Sequence, residues 1–148
     1  MKKIGFLVLL FCVVISHGFA QNIPIDRNIS IEGDILVANR LLGNAAPSEF
    51  DRSAGFGGGL HNGGNIIVFP DSNGMVWGVQ FLYDFVNLHS RDQVRFVGDY
   101  LTSNGWAFLG SRQADNGTPL FDFLGNGMFI QMAAPLDGTN VVLFMERE

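Results

Sequence analysis

Ile66-Ile67-Val68-Phe69, then Asp71-Ser72-Asn73-Gly74, then Met75-Val76-Trp77-Gly78-Val79-Gln80-Phe81-Leu82-Tyr83-Asp84-Phe85-Val86 reads as two strands joined by a tight reversal. Asn-Gly supplies the positive φ angles that such a reversal demands. In the second strand Met75, Trp77, Val79, Phe81, Tyr83 and Phe85 recur at period two, so they are expected on one face. Val76, Gly78, Gln80, Leu82, Asp84 and Val86 are left on the other, a mixed surface.

Downstream, Ser90 followed three residues later by Gln93 forms a capping box, and Val94, Val97 and Leu101 follow at helical spacing with Phe96 and Tyr100 widening the stripe. Asn104-Gly105 gives a left-handed stop. A helix with one apolar face is implied, packed on the sheet face that carries Trp77 and Phe81. The last third then alternates strands and turns: Trp106 to Ser111, Leu120 to Leu124, Met128 to Ala133 and Val141 to Glu146, separated by Gln113 to Thr118, Gly125-Asn126-Gly127 and Asp137-Gly138-Thr139-Asn140. Connections this short join antiparallel neighbours. The expected class is α+β: an antiparallel sheet of five or six strands, one helix on one face, in the order hairpin, helix, meander. That order serves many functions, so it names none.

Upstream, Ile23, Ile25, Ile29, Ile31, Ile35 and Val37 are mostly evenly spaced and suggest a strand-like arm, although Asp34 to Leu42 fits a short helix equally well. Gly43 to Gly64 reads as loop, and six of the ten residues from Gly55 to Gly64 are glycine. The first twenty residues carry a different signal. Lys2 and Lys3 precede an apolar run from Ile4 to Ile15, and Gly18 and Ala20 follow, the pattern of an export signal cut between Ala20 and Gln21. The run falls short of the roughly 20 apolar residues that span a bilayer, so no stable membrane span is expected after cleavage. Residues 1–20 thus read as leader, 21–64 as arm and Gly-rich loop, and 65–148 as the core domain. The Met-Lys-Lys start fits a bacterial leader and a periplasmic or extracellular destination.

Cleavage changes the chemistry available. Both lysines lie in the leader, so the nine basic side chains of the whole chain fall to seven, all arginine, against fourteen acidic ones, and the formal charge moves from −5 to −7. Nucleic acid and anionic lipid are disfavoured as partners. P-loop, Schiff-base and kinase-type lysine chemistries have no amine to use. Cys12, the single cysteine, leaves too, which removes disulfides, thiol nucleophiles and cysteine metal sites. A chain of this length buries roughly two thirds of its unfolded surface and needs no such staples.

Few residues remain as candidates for chemistry. His61, inside the Gly-rich segment, has the residue type for acid–base work near neutral pH, but no catalytic partner stands beside it; an exposed loop histidine is the plainer reading. His89 precedes the Ser90 cap and reads as a helix-entry residue, and the two histidines lack zinc-site spacing. Gly55-Phe56-Gly57-Gly58-Gly59-Leu60 lacks the last glycine and the following helix of a dinucleotide fingerprint. The Asp71 and Asp137 turns lack the carboxylates of a calcium loop. Asn28-Ile29-Ser30 and Asn116-Gly117-Thr118 match glycosylation acceptors. No cofactor, metal or catalytic set is implied.

Phe56, His61, Asn62, Trp77 and Trp106 are the residues that suit an apolar ligand, with core packing the ordinary use of the tryptophans. The stronger pointer is surplus. Val76, Leu82, Val86, Phe129, Val142 and Phe144 form a second apolar sheet face that one helix cannot also cover, and the N-terminal arm, a second copy of the chain or another envelope protein must do so. A non-catalytic binding or interaction domain is the expectation, its partner a protein or an apolar small ligand. A small hydrolase using His61 with an acidic partner and a self-assembling envelope subunit are the alternatives.

Overall fold

The computed structural model describes residues 27–50, 59–61, 66–83, 90–134 and 141–148. In chain order these form α1 (Arg27–Leu41), β1 (Leu60–His61), β2 (Ile66–Pro70), β3 (Val76–Tyr83), α2 (Ser90–Ser103), β4 (Ala107–Gln113), β5 (Pro119–Gly125), β6 (Met128–Ala133) and β7 (Val141–Arg147). The class is α+β, as expected. All seven strands lie in one antiparallel sheet ordered β1-β2-β3-β7-β6-β5-β4, six of them full strands and β1 only two residues long. After β3 the chain crosses through α2 to the far edge, then meanders back until β7 pairs with β3.

The expected hairpin closes as read. The Asp71 carboxylate accepts hydrogen bonds from the amides of Asn73 and Met75, and Gly74 takes φ 78°. Helix α2 ends where Asn104-Gly105 predicts: Gly105 has φ 87°, the Trp106 amide reaches back to the Leu101 carbonyl and that of Gly105 to Thr102, a Schellman closure. Asn126 and Gly127 both have positive φ, the type I′ geometry that joins β5 to β6.

Two expectations need correcting. The arm is not strand-like, and the sheet carries two helices rather than one: residues 27–41 form α1, and Ile31, Ile35, Ala38 and Leu42 share its inward face. Four-residue spacing is even as well as helical, so Ile31 and Ile35 satisfy either period; Ala38 and Leu42 decide for the helix. The Tyr83 hydroxyl donates to the Asp34 carboxylate, and Arg147 donates to the side-chain and main-chain oxygens of Asn39 at 2.9 and 3.0 Å, fixing α1 across β3 and β7.

The second correction concerns Trp77. Phe69 pairs with Gly78 but Pro70 with Val76, so Trp77 is the extra residue of a β-bulge. Pro70 has no N–H to give to the ladder, which makes the irregularity cheap there. Val79, Phe81 and Tyr83 keep the face under the helices, Val76 joins them, and Trp77 turns to the opposite face. The helices therefore pack on the face of Phe81 and not on that of Trp77.

That first face is the main core. Val97 and Leu101 of α2 and Ile31 and Ala38 of α1 bury against Val79, Phe81, Ile130, Leu143 and Met145. Met75 to Val86 extends into residues 84–89, which lie outside the described set together with 1–26, 51–58, 62–65 and 135–140. The expected leader, its Ala20–Gln21 junction and most of the Gly-rich segment fall among these.

Candidate functional site

Alternation from Phe81 and Leu143 sets which side chains reach the second face: Ile67 and Phe69 of β2, Gln80 and Leu82 of β3, Val142, Phe144 and Glu146 of β7, Phe129, Gln131 and Ala133 of β6, and Leu120, Asp122 and Leu124 of β5. No described helix lies on this face.

The bulge at Trp77 completes an aromatic triangle. Trp77, Phe69 and Phe144 stand with ring centroids 5.6–5.8 Å apart and planes tilted by 45–52°, within the range of favourable aromatic pairs. Gly78 makes the triangle possible, because a Cβ there would meet the Phe144 ring at 2.4 Å. Gly59, within the Gly-rich segment, closes against Ile67 and Phe69 in the same way at the β1 edge, with contacts of 2.7 and 2.9 Å for an added Cβ.

Beside the triangle runs a polar row. Register places Ile67, Gln80, Phe144, Gln131 and Asp122 next to one another on successive strands. Gln131 Nε2 donates to Asp122 Oδ1 at 3.0 Å, and Arg112 Nε pairs with Asp122 Oδ2 at 3.3 Å from the β4 edge. Gln80 and Gln131 are 1% and 0% exposed, yet both amide atoms of Gln80 and Oε1 of Gln131 have no hydrogen-bond partner. Glu146 is buried in the neighbouring row, between Gly78 and Phe129. Aromatic faces with amide donors and acceptors recognise a ligand by stacking and hydrogen bonding. Among the described residues no group of three His, Cys, Asp or Glu side chains comes together to hold a metal ion.

A second feature lies at the far edge. The outer side of β4 carries Phe108 and Leu109, about half exposed, next to a shallow cleft of about 220 Å³ between α2 and the sheet, floored by Phe121, Phe123 and Met132 and rimmed by Arg95, Asp99 and Thr102. Ligand pockets usually offer about 300–1,000 Å³, so this cleft has room for one side chain rather than a cofactor.

The residues singled out from the sequence do not form one site. Trp77 sits on the second face, whereas Trp106 is buried on the helix side against Gly125, a core position. The backbone of His61 is paired with Ile67 in β1, and Phe56 and Asn62 lie outside the described residues. Of the expected surplus face, Leu82, Phe129, Val142 and Phe144 are on the second face, Val76 is under the helices, and Val86 is outside the described set. Gln80, Gln131 and Asp122 were not foreseen. Their signal was available: polar residues two positions from Leu82, Phe129 and Leu124, in strands whose same-face neighbours are apolar.

No family model, curated protein or solved structure matches the chain. Among the described residues no helix is long and apolar enough to cross a membrane.

Proposed function

We propose that this protein is an exported, non-catalytic binding or interaction domain whose binding surface is the second sheet face. The observation that carries the reading is Gln80, buried among apolar side chains with both amide atoms unpartnered. An unmet buried amide costs about 1–3 kcal/mol, and a partner that presents its own amides or hydroxyls to this row would supply hydrogen bonds that the folded chain does not itself make. Trp77, Phe69 and Phe144 would hold the apolar part of the same partner. The leader directs the chain to the periplasm or beyond, where the partner is met.

The self-assembling subunit is favoured by one separate observation, the exposed Phe108 and Leu109 on β4, the edge strand of the sheet. Native mass spectrometry of the protein isolated gently from its own envelope tests both readings. A defined added mass that is lost in Gln80→Leu supports binding at the second face. A homo-oligomer that survives Gln80→Leu and dissociates in Phe108→Ser supports edge assembly and overturns the first reading.

A further inference from the structure

The cleft between α2 and the sheet lies on the helix side, away from the polar row, and Gly98 of α2 is what keeps it open. Glycine is the poorest helix former after proline, because it loses the most backbone freedom and packs no side chain. Elsewhere the reason for a glycine is visible: Gly78 abuts the Phe144 ring, and Gly105 takes φ 87°. Gly98 has neither a positive φ nor a close neighbour. A Cβ built on it would stand 3.9 Å from both Phe123 and Met132, ordinary contact with the cleft floor. An alanine would therefore fit, strengthen the helix and fill part of the cleft. What glycine gives at this position is room.

That room has apolar walls and a rim of both charges. Phe108 is held against Phe123, with ring centroids 5.4 Å apart and planes tilted by 49°. Thr102 is engaged with its own helix, its hydroxyl shared between the carbonyls of Gly98 and Asp99 at 3.0 and 3.2 Å. Arg95 and Asp99 are exposed, four residues and so about 6 Å apart along α2. Among the described residues neither the Arg95 guanidinium nor the Asp99 carboxylate has a hydrogen-bond or ion-pair partner. We propose that the cleft binds a free apolar α-amino acid, its side chain on Phe123 and Met132 beside Gly98, its carboxylate on Arg95 and its ammonium on Asp99. The charges decide the class. A residue inside a peptide offers this rim neutral amides and leaves both charges to water, whereas a free amino acid carries one group of each sign on the carbon that bears its side chain. Ion pairs in an open cleft are screened, so the dissociation constant should be on the order of 1 mM. This site goes beyond the second-face reading and stands or falls apart from it.

The probe is L-leucine, titrated into the isotope-labelled full chain and followed by amide NMR shifts. Saturable shifts are expected in α2 and in the parts of β4, β5 and β6 that border the cleft. Glycine has the same two charges and no side chain, and should bind at least about tenfold more weakly. Leucinamide and N-acetyl-leucine each lack one charge and should bind about fivefold more weakly, as should leucine itself to Arg95→Gln or Asp99→Asn. Gly98→Ala is the decisive variant: its melting temperature should rise while leucine binding weakens by about tenfold, so the loss is not one of folding. No saturable shift up to the solubility of leucine overturns the proposal, and so does a Gly98→Ala chain that binds leucine as well as before. A Gly98→Ala chain that melts lower also overturns it, because the glycine is then required by packing. N-acetyl-leucine binding as tightly as leucine identifies a peptide C-terminus as the ligand, and leucinamide doing so identifies a peptide N-terminus; either result overturns the free amino acid.

Discussion

Gln80 is 1% exposed with neither amide atom bonded, and Gln131, two strands away in the same row, donates to the Asp122 carboxylate at 3.0 Å. One substitution therefore has opposite consequences at the two positions. Methionine follows the same unbranched path as glutamine and carries no amide. At Gln80 it removes a desolvation penalty of about 1–3 kcal/mol without breaking a bond, so Gln80→Met is expected to stabilise by about 2 kcal/mol. With roughly 3 °C per kcal/mol for a domain of this size, the melting temperature rises by about 6 °C. At Gln131 the substitution gives up a hydrogen bond to a charged group, about 1.5–3 kcal/mol, and recovers part of it because Oε1 was unmet. A net loss of about 1 kcal/mol is expected. The positions are about 10 Å apart across Phe144, so the double variant should lie near the sum. Urea unfolding of the full chain and of the three variants measures all of this. If Gln80→Met destabilises the chain, the Gln80 amide has a partner and the reasoning fails.

Gly78→Ala should destabilise by about 1–3 kcal/mol, since the new methyl would stand 2.4 Å from the Phe144 ring; Phe144→Leu in the same chain should relieve most of the clash, and a thermal melt reads both. Tyr83→Phe removes the hydroxyl bond to Asp34 and should cost about 1–2 kcal/mol by urea titration. Burial, then the nearby Glu32 carboxylate, raises the Tyr100 pKa above its ordinary 10.0. The folded chain therefore holds this proton to higher pH than the unfolded one, and the associated stability is full below pH 10 and is lost as pH rises through the folded value. Glu32→Gln should move the phenolate absorbance transition to lower pH yet leave it above 10, because burial remains the larger cause.

Much of this fold is legible wherever local chemistry has one solution. Asp71 to Gly74, Ser90 to Gly105 and Gly125 to Gly127 each combine a backbone requirement with residues that meet it, and the elements begin and end where those residues stand. Legibility fails where two periods coincide or one is interrupted. Ile31 and Ile35 suit a strand or a helix, and the small Ala38 that buries completely against the sheet does not stand out as a core marker. The bulge at Trp77 has a local cause in Pro70, yet Pro70 lies on the partner strand, so an alternation read along β3 alone cannot see it. The site depends still more on pairing: Gln80, Gln131 and Asp122 are about fifty residues apart at the extremes and become neighbours only when β7 inserts between β3 and β6.

The two faces of the sheet differ in a way that stability does not explain. Under the helices the buried strand residues are uniformly apolar, from Val68 to Met145. On the second face glutamines occupy positions whose strand neighbours are Leu82, Phe129 and Ala133, and selection for folding alone would have filled them likewise. The β4 edge, the competing surface, is built the other way. Its register slips between Phe108 and Gly110, Gly110 takes φ 145°, and Arg112 adds a half-exposed charge, a combination of devices that blunts an edge against strand addition. A surface protected against pairing stands at one end of the sheet, while a surface that gives up stability to keep amides stands across its face. That contrast favours the second face over the β4 edge as the proposed binding surface.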